Sequence, residues 1–93
     1  MTGYKLLASK TAVSQLSSLD ATTKERIIAA VKSLETDPFQ RRSGTDIKRL
    51  VLATDPPIYR LRIGDYRVIY SVVQDEVKIT EIIHRSKGYK WLE

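Results

Sequence analysis

The run Tyr59-Arg60-Leu61-Arg62-Ile63-Gly64-Asp65-Tyr66-Arg67-Val68-Ile69-Tyr70 constrains the fold more than any other part of the chain. Apolar and basic side chains alternate on both sides of Gly64-Asp65, and a period of two residues belongs to a β-strand with one buried face. Gly64-Asp65 is short enough to close a two-residue hairpin loop, and glycine at its first central position suits a type II′ turn. Such a turn sets the register: Ile63 faces Tyr66, Arg62 faces Arg67, Leu61 faces Val68, Arg60 faces Ile69 and Tyr59 faces Tyr70. One face then gathers Tyr59, Leu61, Ile63, Tyr66, Val68 and Tyr70 as a seat for helices. The other gathers Arg60, Arg62 and Arg67.

The helices to fill that seat precede the hairpin. Tyr4 to Leu7 has strand character, and Ser9 is an N-cap for a segment with Ala12, Val13, Leu16 and Leu19 at helical spacing. Thr22 and Glu25 have the spacing of a capping box for a second helix, whose face carries Ile27, Ile28, Val31 and Leu34 and which Asp37-Pro38 stops. About three residues separate the two helices, so they are expected to pack as an antiparallel hairpin with both apolar stripes on one sheet. Pro38 to Asp46 reads as a mobile basic loop, Ile47 to Leu52 as a strand and Asp55-Pro56-Pro57 as a turn. Ile58 to Ile63, Tyr66 to Val73 and Val77 to Ile83 complete an antiparallel meander, in which Glu81 breaks the apolar pattern as a bulge would. Ser86 to Leu92 reads as a short tail with helical character. The class is α+β, with 42% hydrophobic side chains in 93 residues sufficing for one core, and hence one domain over residues 1–93.

Charge narrows the function. The formal net charge is +5, and residues 41 to 67 hold seven basic against three acidic side chains, which accounts for +4 of it. A segregated excess of cations is what a phosphate-binding surface needs. Arginines directly opposed on a sheet are unfavourable by a few tenths to roughly 1 kcal/mol, so stability alone does not select Arg62 across from Arg67. A plain solvated face, with these arginines bonded to Asp46, Asp55 or Asp65, is the competing reading. Arginine stays protonated at any ordinary pH and offers a planar fork suited to phosphate. With no cysteine and one histidine, neither a disulfide framework nor a thiolate or polyhistidine metal site is expected. No apolar stretch reaches about 18 residues and no secretory leader is apparent, so a soluble, intracellular protein without a membrane partner is expected.

The hairpin run, followed by Ile82-Ile83-His84-Arg85 and then Tyr89, resembles the signature of the RelE/ParE toxin superfamily. The likeness covers nearly the whole chain, including the order of first strand, two helices, the Asp37-Pro38 stop and the Lys48-Arg49-Leu50 strand. It implies a RelE-like fold: an N-terminal strand, a two-helix hairpin on a mostly antiparallel sheet of about four to five strands, and a short C-terminal helix or tail. It also implies an activity. RelE-type toxins enter the ribosomal A site and cut messenger RNA there, the ribose 2′-hydroxyl attacking the adjacent phosphate. No metal or other cofactor is implied.

By that resemblance Arg67 contacts the scissile phosphate, Arg85 stabilises the transition state or protonates the leaving oxygen, and Tyr89 stacks on a base or moves a proton. Lys48, Arg60 and Arg62 bind substrate. Members of the family often have lysines where this chain has Arg60 and Arg62, and an arginine is a poor general base. Lys48, Tyr89 and His84 therefore remain as proton acceptors, with a structural role for His84 and a core role for Tyr89 as their alternatives. Arg41, Arg42, Lys87 and Lys90 would contact ribosomal RNA, and Trp91 would pack the tail or stack on a base. A RelB-like cognate antitoxin is implied as partner, with the free toxin monomeric. Two other functions fit the same chain: inhibition of DNA gyrase by a ParE-type member, and nucleic-acid binding without catalysis, as a corepressor. Retention of Arg67, Arg85 and Tyr89 favours the ribonuclease. A helix-turn-helix with a basic second helix is not evident, because Glu25 and Glu35 offset Lys24, Arg26 and Lys32.

Overall fold

The computed structural model describes residues 3–40, 45–50 and 56–87. In chain order they form β1 (Lys5–Ala8), α1 (Lys10–Ser17), α2 (Ala21–Lys32), a 3-10 turn (Ser33–Glu35), β2 (Asp46–Arg49), β3 (Ile58–Ile63), β4 (Tyr66–Val73), β5 (Glu76–His84) and a second 3-10 turn (Arg85–Lys87). The strands make one five-stranded sheet in the order β1-β5-β4-β3-β2, antiparallel except where β1 runs parallel to β5. This is the α+β arrangement expected from the sequence.

The hairpin register is as the turn dictated, with Ile63 opposite Tyr66 and Tyr59 opposite Tyr70. Gly64 has φ +57° while Asp65 stays out of the left-handed region, which fits a type II′ turn. Leu61, Val68 and Tyr70 are buried beneath Ala12, Ile27 and Leu34 of the helical layer, with Tyr59, Ile63 and Tyr66 at their margin. Tyr70 donates its hydroxyl proton to the carbonyl of Pro38 at 2.7 Å, so this buried phenol has its polar end satisfied.

Several boundaries differ from the sequence reading. β1 begins at Lys5 because the N–H of Tyr4 is already committed to Glu35 O (3.0 Å), while that of Lys5 reaches Asp75 O on the β5 side (2.8 Å). Asp20, not Thr22, caps α2. Its carboxylate accepts from the hydroxyl (2.7 Å) and the N–H (3.0 Å) of Thr23, bonds that hold Asp20 below the usual carboxylate range and put Thr22 and Glu25 inside the helix. α2 ends at Lys32 and tightens into a 3-10 turn before Asp37-Pro38 is reached. Asp37 then accepts from the N–H groups of Phe39 and Gln40 at 2.9 and 3.2 Å. Val13 and Ile28, expected in the buried stripe, are 51% and 39% exposed. They border, with Leu7, an apolar cavity of about 220 Å³ between β1 and the helices.

The bulge of β5 falls at Thr80: Ile69 pairs with Glu81 and Tyr70 with Ile79, leaving Thr80 as the extra residue. α1 secures this bend. Ser9 caps α1 by accepting from Ala12 N–H (3.0 Å) and donates to Thr80 O (2.8 Å). Gln15 accepts the N–H of Ile82 at 2.6 Å. β2 stops at Arg49, although Leu50 still donates to Ile58 O at 2.9 Å. The expected tail is represented by the turn Arg85–Lys87, and the remainder of Ser86 to Leu92 lies outside the described residues, as do Arg41 to Gly44 and Val51 to Asp55. No helix among the described residues is long and apolar enough to cross a membrane.

Candidate active site

Alternation on the strands puts the basic residues on the sheet face away from the helices. Lys48 of β2 pairs with Arg60 of β3, Asp46 with Arg62, and Arg62 with Arg67 of β4. Ile83 of β5 lies across from Arg67. Under these cations sits a small apolar floor of Leu50 and Ile69, flanked by Ile58 and Ile83.

The three hairpin arginines are not equivalent. Arg60 is nearly buried and ion-paired to Asp46 (3.3 Å), and its Nη1 donates to the Asp46 carbonyl (3.3 Å) while its Nε is buried without a hydrogen-bond partner. Arg62 is exposed and makes no ion pair or hydrogen bond among the described residues. Arg67 is folded back along the hairpin tip: its Nη1 donates to the carbonyls of Gly64 and Tyr66, both at 3.0 Å. One guanidinium edge is thus anchored, which limits its rotamers and presents the remaining donors outward.

Arg85 arrives at the same tip from the end of β5. Its N–H donates to Asp65 O at 2.7 Å, and its Nε stands 3.6 Å from the Asp65 carboxylate. Both partners of that ion pair are nearly two-thirds exposed, so it is weak and yields readily to a stronger anion. The turn Gly64-Asp65 therefore positions Arg67 and Arg85 together, a proximity that their separation in sequence does not reveal.

His84 points elsewhere. It pairs with Tyr66 on the helix side of the sheet, ring edge to ring face with centroids 5.2 Å apart. Its Nδ1 accepts from the N–H of Ser86 at 3.1 Å and lies 2.8 Å from the Ser86 hydroxyl, closing the 3-10 turn that carries Arg85. Lys48 lies on the arginine face and Lys87 is exposed on the final turn. Tyr89, Arg41, Arg42, Lys90 and Trp91 lie outside the described residues. Among the described residues no group of acidic or histidine side chains could hold a metal ion.

Sequence reasoning missed one cation. Arg26 of α2 reaches the hairpin tip from the helix side, where a Cβ on Gly64 would stand 3.3 Å from its Nη2. The signal was its place between half-buried Thr23 and buried Ile27, on the flank of the helix's inward stripe.

A small α+β toxin of a toxin–antitoxin pair is the class that this architecture defines among solved structures. The chain is similar to the toxin of the archaeal RelE–RelB complex from Pyrococcus horikoshii OT3, at 32% identity and a TM-score of 0.78, covering 94% of this chain and 100% of that one. It shares the fold of the RelB–RelE complex from Methanococcus jannaschii (23% identity, TM-score 0.73, 94% and 99% covered). It also shares that of the DinJ–YafQ complex from E. coli (8% identity, TM-score 0.72, 94% and 98% covered). No curated protein sequence matches it. Residues 6–89 match the ParE toxin family of type II toxin–antitoxin systems (parDE), and the chain belongs to that family, within the RelE/ParE superfamily.

Proposed function

We propose that this toxin is a ribosome-dependent endoribonuclease that cleaves messenger RNA in the ribosomal A site and so stops translation in the cytoplasm. The observation that carries the reading is the anchoring of Arg67 and Arg85 on one two-residue turn, beside the unpaired Arg62. Such a cluster suits a reaction in which the RNA supplies its own nucleophile. The 2′-oxygen bonds to phosphorus, the 5′-oxygen leaves, and the products are a 2′,3′-cyclic phosphate and a free 5′-hydroxyl. The enzyme's task is to stabilise the extra charge on the phosphorane and to move two protons.

Arg67 is assigned to the non-bridging phosphate oxygens. Arg85, freed from Asp65 by the incoming phosphate, is assigned to the leaving oxygen. Lys48, Arg60 and Arg62 bind the strand, with Arg60 held in place by Asp46. His84 is set aside as proton acceptor, since its Nδ1 is engaged by Ser86 and its ring lies with Tyr66 on the opposite face. Lys48 and Tyr89 take over that role. The partner is a RelB-like antitoxin, a reading supported by the complexes in which the similar toxins were solved. A second reading, gyrase inhibition, has the ParE family match in its favour.

The test is a translation reaction with purified toxin, in which new 5′ ends on the messenger are mapped with and without ribosomes. Cuts confined to ribosome-bound messenger, reduced at least ~100-fold by Arg67→Ala or Arg85→Ala in folded protein, are expected. Intact messenger together with inhibited gyrase supercoiling would replace this reading by the second.

A further inference from the structure

We propose that Arg26 of α2 is a further phosphate-binding cation of this site, and that the RNA strand therefore crosses the hairpin tip from the arginine face to the helix side. The inference rests on the ribonuclease reading and extends its binding surface to the helical layer. Gly64 is the meeting point. Arg67 bonds its carbonyl at 3.0 Å, and Arg26 lies on its other side, where a Cβ would stand 3.3 Å from Nη2. Guanidinium groups from α2 and β4 thus flank one residue, with Arg85 on the next.

Arg26 is exposed, so water screens its repulsion from the other cations of the tip and leaves its charge available to an anion. Asp65 is an acid at the tip, and its carboxylate faces Arg85. Arg26 has no ion pair or hydrogen bond among the described residues. It borders instead a polar cavity of about 110 Å³ with Thr23, Ile63, Asp65 and Tyr66. A phosphodiester group entering this cavity would find an unpaired planar fork. A strand whose scissile phosphate rests on Arg67 then places its neighbouring phosphate at Arg26. The single-sided alternation of the strands cannot supply that contact.

The experiment measures binding by fluorescence anisotropy of a labelled single-stranded RNA carrying 2′-O-methyl groups, and cleavage kinetics on ribosome-bound messenger. The proteins are wild type, Arg26→Ala, Arg26→Lys and, as a control for loss of one remote charge, Lys10→Ala. Arg26→Ala is expected to weaken binding and raise KM about tenfold, the order for a charge-assisted contact, with kcat changed much less. Arg26→Lys should recover part of the affinity, Lys10→Ala should stay near wild type, and thermal midpoints should coincide. Unchanged binding and KM in Arg26→Ala, in a preparation whose cleavage still depends on Arg67 and Arg85, would overturn the role of Arg26 alone. Absence of cleavage by wild type on ribosome-bound messenger would overturn the ribonuclease reading and this inference with it.

Discussion

Two turns of the sheet place different residues at nearly the same positive φ. Gly64 has φ +57° and Gln74, between β4 and β5, has φ +56°. The fold thus tolerates a side chain in the left-handed region where space is open, at a cost of roughly 1–2 kcal/mol. At position 64 conformation is only part of the requirement, because a Cβ would stand 3.3 Å from Arg26 Nη2 and the guanidinium would have to give way slightly. Gly64→Ala is expected to lose about 1–2 kcal/mol in urea unfolding from strain alone. It should also displace Arg26, so Arg26→Ala should weaken RNA binding less in the Gly64→Ala background than in wild type. Full additivity of the two substitutions in RNA affinity would mean that the contact has no energetic weight.

At the scale of elements, the sheet is not finished by strands alone. β1 runs only from Lys5 to Ala8, and beyond it the side chains of Ser9 and Gln15 satisfy backbone groups of β5 around the bulge at Thr80. This support sets the direction of the strand end that bears His84 and then Arg85. Gln15→Leu would leave the N–H of Ile82 without its acceptor, at about 1–3 kcal/mol. Faster amide exchange at Ile82 is the expected sign, whereas Gln15→Glu keeps an acceptor and should stay slower. Wild-type exchange in Gln15→Leu would remove Gln15 from this role. The strands, the register of the β3–β4 hairpin and the two helices were legible in the sequence because periodicity and the Gly64-Asp65 turn act locally, whereas the parallel pairing of β1 with β5 was not. The bulge was read one residue late, at Glu81, since its position depends on which β5 groups α1 can reach. Thr22 resembled a cap for a similar reason: sequence spacing does not reveal that Asp20 already satisfies Thr23.

For the molecule as a whole, the basic excess between residues 41 and 67 pointed to the proposed polyanion site, yet the sequence could not rank its members. Alternation assigned Arg60, Arg62 and Arg67 to one face but was blind to pairing across strands. Asp46 neutralises Arg60, Asp65 meets Arg85, and Arg62 stays unpaired. The solvated-face reading thus describes Arg60 and Arg85, which meet acids, while Arg62 is left for the phosphate-site proposal. This ranking has a consequence in salt. The logarithm of an affinity for single-stranded nucleic acid falls with the logarithm of salt concentration, with a slope of about −0.7 for each phosphate neutralised. Removing unpaired Arg62 should make the slope of RNA binding shallower by about 0.7, with little change in thermal midpoint. Arg60→Ala should do the reverse, lowering the midpoint because an ion pair in a partly buried site is lost, while the slope changes less. Anisotropy titrations of both variants over a range of potassium chloride, beside their melting curves, separate the two outcomes. Equal slope changes would mean that the Asp46–Arg60 pair opens when RNA binds, making Arg60 as available to phosphate as Arg62.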